Sequence, residues 1–449
     1  MLGSAEFRKD YGVDLAYVAG AMYKGIASSD LVIRMGRASL LSFLGTGGMP
    51  LAQIERELDR IQGELGPTRA FGANLLANLD DPRLEMATVE LLLKANVVNV
   101  EAAAFTQISD GVVWYRFKGA HWGADGEPAV RRRLIAKVSR AEIAESFLRP
   151  APPAVVERLR AAGRLSAEEA EVALRAPVAS DICVEADSGG HTDRGVLIVL
   201  LPCILRLRDR VCRAQGYAKS VRVGAAGGIG APESAAAAFL MGADFVLTGS
   251  INQCTVEAGT SDAVKDLLQR VALGDTAYAP AGDMFELGAR VQVVGRGLLF
   301  APRANELYEL YRRHSSLDEI DPQVRRRIEE RYLCRSFAEV WDETRSYFER
   351  SNPARLREME RSPKAKMAAI FRWYFVHSTR LALRGSAEQK TDYQVQCGPA
   401  MAAFNEWVRG TPYESWRSRH VDSIAVLLMR GAEDHMRRAQ RDEREEARL

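Results

Sequence analysis

The sequence predicts an α/β fold in which eight parallel strands close into a barrel, with a helical insertion after the fifth strand and an all-helical C-terminal extension. Three observations predict it. Eight short apolar runs recur through residues 1–300, with helical patterns between them. Most of the runs are apolar on both faces, as strands buried under helices should be. Beyond Arg303 the β-like runs stop and helical periodicity takes over. Eight βα units in about 270 residues match a TIM (β/α)8 barrel, whereas a doubly wound open sheet usually has fewer strands.

The expected strands are Leu15–Ala19, Leu40–Leu44, Ala70–Leu75, Val97–Glu101, Leu134–Val138, Ile182–Ala186, Val221–Ala225 and Phe245–Thr248. Pro50–Leu65 opens with proline at a helix N-terminus and keeps apolar residues at helical spacing. Arg83–Ala95, Val196–Gln215 and Pro232–Met241 follow the same pattern. The rhythm breaks between Ser139 and Asp181. Pro150, Pro152 and Pro153 punctuate that stretch, and Ala154–Ala162 and Ser166–Leu174 read as two helices. Ser166 with Glu169 three residues on is a capping box. Residues 140–180 are therefore expected as a helical insertion near the mouth of the barrel, where inserted loops shape substrate access. In the tail, Ala304–Arg313, Pro322–Tyr332, Phe337–Arg350, Lys364–Leu383 and about His420–Gly431 read as amphipathic helices, and Arg437–Leu449 as a frayed charged end. The expected division is a barrel over 1–300 and a helical domain over 301–449.

Composition excludes several classes. The 449 residues are 47% hydrophobic and 27% charged, a globular balance that rules out whole-chain disorder. Lys plus Arg is 61 and Asp plus Glu is 59, so the net charge of +2 argues against a nucleic-acid binder. Cys183, Cys203, Cys212, Cys254, Cys334 and Cys397 are dispersed, with no CxxC pair, so no structural zinc or other metal site is expected. Met1–Asp10 lacks an apolar signal core, and the longest apolar stretch, Gly195–Leu201, is far short of a membrane span. A soluble, cytoplasmic protein is expected, and the sequence leaves a homodimer open.

Glycines gather after the strands. Gly20, Ala21 and Met22 follow the first, and Gly45-Thr46-Gly47-Gly48 the second. Asp187-Ser188-Gly189-Gly190-His191 follows the sixth, Ala226-Gly227-Gly228 the seventh, and Gly249-Ser250 the eighth. A single such loop is only a tight turn. Five in register with strand ends point to a bound ligand, since glycine lets backbone N–H groups approach it. The loops after strands seven and eight often build a phosphate site in this fold. His191 is either a solvated loop residue or a proton-transfer group. Lys137 stands inside the apolar run LIAKV, where a lysine must be paired or used. It is either a core ion pair with Glu185 or Glu101, or a cation beside the pyrimidine end of a flavin. Asn74 is suited to hydrogen-bonding a ring edge. The Gly45–Gly48 loop is not a full dinucleotide fingerprint, and GxSxG and HExxH are absent.

The strings VEADSGGHTDRG (Val184–Gly195) and VRVGAAGGIGAPESAAAAFLMGADFVLTGSINQCTVEAGTS (Val221–Ser261) resemble the flavin-dependent barrel enzymes of the nitronate monooxygenase group. YVAGAMYKGIASSDLVIRMG (Tyr17–Gly36), IAKVSRAEIA (Ile135–Ala144), KMAAIFRWYF (Lys366–Phe375) and YQVQCGPAMAAFNEWVRG (Tyr393–Gly410) are closer to one branch, the PfaD-type enoyl reductases that act in trans with polyketide and polyunsaturated fatty acid synthases. This resemblance covers nearly the whole chain. It implies bound FMN, reduction by NADPH, and hydride delivery to an enoyl thioester on an acyl carrier protein. It sets Gly20, Ala21 and Met22 against the flavin ring, Asn74 at its edge with Lys137 near it, and His191 as the active-site histidine. Gly227, Gly228, Gly249 and Ser250 bind the phosphate in that reading. Gly45, Thr46, Glu185, Gly189, Gly190 and Ala226 complete the cofactor set, with His191 and Lys137 as the catalytic pair. Thr192-Asp193 after the histidine departs from the nitronate monooxygenases. A nitronate monooxygenase-like oxidase and a flavin-free barrel scaffold are the alternatives. Arg325, Arg326 and Arg327 are either a surface that steers an acidic carrier or a solvated helix face.

Overall fold

Eight parallel strands close into a barrel: β1 Tyr17–Ala19, β2 Leu41–Leu44, β3 Gly72–Leu76, β4 Asn99–Ala103, β5 Arg133–Val138, β6 Asp181–Glu185, β7 Arg222–Ala226 and β8 Val246–Thr248. This computed structural model describes residues 1–78 and 81–446, with side chains to Ala439. Each strand pairs with its neighbour in chain order, and β8 pairs with β1 through Tyr17 opposite Val246. All eight lie within about two residues of their expected ends, the usual uncertainty of a boundary. The outer helices Leu51–Leu65, Pro82–Lys94, Leu197–Gln215 and Pro232–Leu240 also fall where the apolar spacing puts them.

The N-terminal end of the barrel is plugged by a helix that the polar sequence did not advertise, Ala5–Tyr11. Ser4 caps it by accepting the Phe7 N–H. Phe7 stacks on Phe245 with ring centroids 4.6 Å apart. The Tyr11 hydroxyl donates to Asp181 at 2.7 Å, and Arg222 bridges Asp181 and Asp10 at 2.5 and 2.7 Å. With that end closed, any ligand must approach the C-terminal ends of the strands.

The contacts divide the chain into two units with boundaries other than the expected break at 300. One unit is 1–188, 193–259 and 403–449, and the other is 189–192 and 260–402. Residues 403–446 thus belong with the barrel. Helix Val421–Glu446 packs on Pro232–Leu240, where a Cβ on Gly431 would come within 2.7 Å of Pro232. It continues through Gly431 and the segment expected to fray, as far as Glu446; the expectation for residues 447–449 lies outside the described residues.

Residues 140–180 hold three helices. Ala141–Leu148 is the ordinary outer helix after β5 and packs on Leu197–Gln215. The added helices Pro153–Ala161 and Ala167–Ala173 follow it. Those pack on the flank of helix Asp110–Phe117 and on the segment entering β5: Lys118 donates to the Arg164 carbonyl at 3.2 Å, and the Gly119 N–H to Glu169 at 2.7 Å. The Ser166–Glu169 capping box is present.

The second unit has its own sheet and core. Strands Thr276–Pro280 and Arg290–Val294 form an antiparallel hairpin, and the short strand Gly190–His191 joins its edge. None of the three was expected as a strand. Helices Phe300–Arg313, Phe337–Ser351, Pro353–Arg361 and Pro363–Arg384 cover a core that contains Phe285, Phe300, Phe371, Tyr374 and Phe375. Each of these fully buried aromatics contributes roughly 2 kcal/mol by area removed from water. The expected helix Pro322–Tyr332 is α-helical only over Pro322–Ile328, then widens into one π turn, Glu329–Leu333.

Candidate active site

In the barrel unit, most of the expected residues meet at the C-terminal strand ends. Loop residues 22–27 after β1 lace onto 45–47 after β2: Lys24 N–H bonds Gly47 O at 2.7 Å, and Gly25 N–H bonds Gly45 O at 2.9 Å. Gly45 is required here, because a Cβ would overlap the Met22 carbonyl. Its role is thus to bring two backbones together. Gly227 has φ +90°, and a Cβ there would come within 2.7 Å of the Ala186 backbone. The turn after β7 is therefore pressed against the end of β6. Gly228 next to it meets nothing, and the N–H groups of Gly228 and Gly249 make no hydrogen bond among the described residues. Tyr17 fixes the turn after β8 by bonding Thr248 at 2.5 Å and Asn252 at 3.1 Å; burial pushes its hydroxyl up to about 12.

Asn74 on β3 is buried. Its Oδ1 accepts both the Thr46 N–H and the Thr46 hydroxyl, each at 2.7 Å. This turns the amide so that its Nδ2, a donor, has no partner among the described residues. An unpaired donor at a strand end suits a ligand acceptor.

Lys137 on β5 sits between two carboxylates, 2.9 Å from Glu185 on β6 and 3.6 Å from Glu101 on β4. Glu101 is 1% exposed and also accepts the Ala21 N–H at 3.1 Å, so it holds the loop after β1. Burial works against the lysine charge, but Glu185 and Glu101 outweigh it and hold Lys137 above the usual lysine range. Burial pushes Glu101 up despite Lys137. Burial likewise pushes Cys183, next along β6 from Val184, up as a thiol. The ion-cluster reading of Lys137 is thus realised. Glu101 is the residue the expected site set lacked, although its place in an apolar strand had marked it.

Gly189, Gly190 and His191 fall in the second unit. His191 Nε2 lies 2.9 Å from Asp283 Oδ1. Sequence reasoning missed Asp283, which is separated from His191 by 92 residues. The signal was there in two short apolar runs, Thr276–Pro280 and Arg290–Val294, around a Gly-Asp connection. Asp193, which follows the histidine loop and rejoins the barrel unit, is gripped by Arg140 at 2.9 and 3.0 Å and by Ser139 at 2.6 Å. Cys254 accepts a bond from the fully buried Arg419 at 3.4 Å. Among the described residues no disulfide joins the six cysteines, and no metal-binding cluster occurs. Among the described residues, no helix is long and apolar enough to cross a membrane. Arg325 and Arg326 pair with Asp318 and Glu330, and Arg327 with Glu306, so that arginine run is largely neutralised where it stands.

A closed barrel of eight parallel strands with glycine turns at the strand ends, in a chain that also carries a helical unit, defines a (β/α)8-barrel protein, and comparison with known proteins narrows it. The chain belongs to the trans-acting enoyl reductase family of polyketide and polyunsaturated fatty acid synthases. It is 43% identical to the crystal structure of the enoyl reductase domain of MlnA, from the macrolactin biosynthesis cluster of Bacillus amyloliquefaciens, with a TM-score of 0.95 over 98% of this chain and 99% of that one. It is 50% identical over 428 residues to the polyketide biosynthesis protein PksE of Bacillus subtilis, covering 95% of this chain and 55% of PksE. It is 47% identical over 437 residues to the polyketide biosynthesis protein ThaF of Burkholderia thailandensis, covering 97% of this chain and 37% of ThaF. A polyunsaturated fatty acid synthase component of a Thraustochytrium species is 44% identical, covering 96% of this chain and 29% of that protein. The chain therefore spans about half or less of these longer relatives. Residues 314–393 match the family described as acyl-carrier-protein S-malonyltransferase, inserted helical domain.

Proposed function

We propose that this chain is an FMN- and NADPH-dependent enoyl reductase that acts in trans, in the cytoplasm, on enoyl thioesters carried by an acyl carrier protein of a polyketide or polyunsaturated fatty acid synthase. The observation that carries the reading is the whole-chain likeness to the MlnA enoyl reductase domain. The barrel mouth fits a flavin nucleotide on three counts: the unpaired Asn74 amide, the open N–H groups of Gly228 and Gly249, and the turn at Gly227 that excludes a side chain. FMN bound there supplies hydride transfer from NADPH to the substrate.

The chain's own residues have four tasks. Asn74 donates to an acceptor on the ring edge, while Thr46 keeps its amide in that orientation. The Gly228 and Gly249 N–H groups bind the phosphate, with Ser250 beside them. Lys137 keeps a positive charge at the strand ends, and Glu101 keeps both Lys137 and the Ala21 backbone in place. His191 donates a proton. In the overall change the Cα=Cβ bond becomes single. Cβ takes the hydride with its electron pair, and Cα takes a proton from His191, which recovers one from solvent. Since Arg325, Arg326 and Arg327 are each paired, attraction of an acidic carrier does not rest on that run.

The test is anaerobic reduction of the purified yellow protein by NADPH, followed by mixing with crotonyl-carrier thioester and, separately, with a nitronate. Rapid reoxidation by the thioester is expected. Slow reoxidation by the thioester with fast turnover of nitronate would overturn the reading, and a colourless protein would remove the flavin from it.

A further inference from the structure

We propose that Asp283 is the positioning residue for His191, orienting its ring and holding it in the protonated form that delivers the substrate proton; the catalytic part of this rests on the enoyl reductase reading. The two side chains come from one small sheet. His191 is the second residue of the strand Gly190–His191, opposite Val291, and the Thr192 N–H donates to the Arg290 carbonyl at 3.1 Å. The neighbouring strand, Thr276–Pro280, reaches Arg290–Val294 through a connection that carries Asp283. Sheet register therefore fixes one partner, and the hairpin connection the other.

The connection is anchored. Ala281 N–H bonds Ala289 O at 2.8 Å across its base. Phe285 is fully buried, with Tyr308, Tyr311 and Phe375 around it at 5.2 to 5.5 Å between ring centroids. Asp283 Oδ1 accepts the Met284 N–H at 3.1 Å as well as facing His191 Nε2 at 2.9 Å. Behind it, Arg372 reaches the Asp283 carbonyl at 3.5 Å and pairs with Glu286 at 3.4 Å, and Glu286 also receives Arg355 at 3.0 Å.

Exposure decides what the pair is for. The side chains of His191 and Asp283 are 42% and 61% exposed. An exposed pair contributes little to stability, so its value lies in direction and protonation. A carboxylate on one ring nitrogen sets the orientation of the imidazole and favours the imidazolium. The effect is visible on the partner: partial burial pushes the Asp283 carboxyl up, but the His191 contact outweighs this, with help from Arg372, and holds it below the usual aspartate value. The charged groups around the pair are Asp283 and Glu286 from the connection, Arg290 from the paired strand, Arg372 from helix Pro363–Arg384, and Arg355 from helix Pro353–Arg361. Of these, Asp283 lies 2.9 Å from Nε2 of the ring.

The test uses the full chain with its flavin. Asp283→Asn keeps an acceptor for the Met284 N–H and removes the charge; Asp283→Glu restores the charge. With isotope-labelled histidine, the ring signal of His191 is assigned by its loss in His191→Gln, and its titration is followed by NMR. The midpoint is expected to move down by about one pH unit in Asp283→Asn and to return most of the way in Asp283→Glu. In stopped flow, reoxidation by crotonyl-carrier thioester is expected to slow about tenfold at neutral pH in Asp283→Asn. Its pH profile should shift to lower pH, with KM for the thioester and reduction by NADPH unchanged. A His191 titration in Asp283→Asn that superimposes on wild type overturns the proposal, whatever the activity. A shifted titration with an unchanged pH profile removes the catalytic part. If wild type does not reduce the thioester at all, the enoyl reductase reading fails, and the titration still decides whether Asp283 controls the ring.

Discussion

At the residue scale, Asn74 and Lys137 show how one polar atom in an apolar strand acquires a definite task. Asn74 spends its oxygen on Thr46 and leaves its NH2 group over. Asn74→Asp keeps that acceptor and deletes the donor. It is expected to weaken FMN binding at least tenfold, read by fluorescence titration of the apoprotein, with little change in melting temperature. Lys137 is the counter-ion of two carboxylates. Lys137→Met leaves Glu101 buried beside Glu185 without compensation, at a cost of about 3 kcal/mol in urea unfolding, and adding Glu101→Gln should recover part of it. The sign of the pH dependence follows from the direction of the shift. Lys137 is held above the usual lysine range in the fold, so its contribution is present below about pH 10.5 and is lost as pH rises through the higher folded value. The melting-temperature gap between wild type and Lys137→Met should be widest from neutral to mildly alkaline pH and close above that. It should also narrow in acid, where Glu101 takes a proton in the variant.

At the element scale, the mouth of the barrel is built from turns that hold one another. The loop after β1 is tied to the loop after β2 by backbone bonds and to β4 by the Glu101–Ala21 contact. Gly45→Ala drives a Cβ into the Met22 carbonyl, which a side-chain rotation cannot relieve. We expect a loss of about 2–4 kcal/mol by urea denaturation, together with reduced flavin content. Gly228→Ala meets no atom and carries only the cost of a left-handed φ of +71°, about 1–2 kcal/mol. A smaller loss at Gly45 than at Gly228 would contradict this account of the two turns.

At the scale of the whole molecule, the chain leaves the barrel unit and comes back. Residues 403–446 supply the helix on Pro232–Leu240, and also Arg419, which is fully buried and donates to the carbonyls of Tyr413 and Glu414 at 2.7 and 3.0 Å. The ion pairs Arg34–Asp422 at 2.6 Å and His420–Glu257 at 2.6 Å tie the same segment to the barrel helix Ser29–Arg37 and to the turn residues before Asp262. A chain ended after residue 402 is therefore expected to lose the cooperative melt and the near-ultraviolet circular dichroism of the barrel, and not merely an appendage. Retention of both signals would show that the returning segment is dispensable.

The sequence by itself determined the barrel, its eight strands, the glycine turns at the strand ends, and the polar residues that stand out in or after the strands: Asn74, Lys137, Glu185 and His191. These were legible because strand alternation, helical spacing and glycine turns are written in neighbouring residues. The plug helix Ala5–Tyr11 and the hairpin of Thr276–Pro280 with Arg290–Val294 were not. The first is short and polar, the second short and interrupted by proline, and each is stabilised by partners far along the chain. Only the tertiary structure decided which carboxylates surround Lys137, that Asp283 meets His191, what the insertion packs against, and that the C-terminal helix belongs to the barrel unit. Those outcomes depend on barrel closure, strand register and helix packing, which join residues tens to hundreds of positions apart. Local periodicity says which face of an element is buried, and the packed fold chooses what it is buried against.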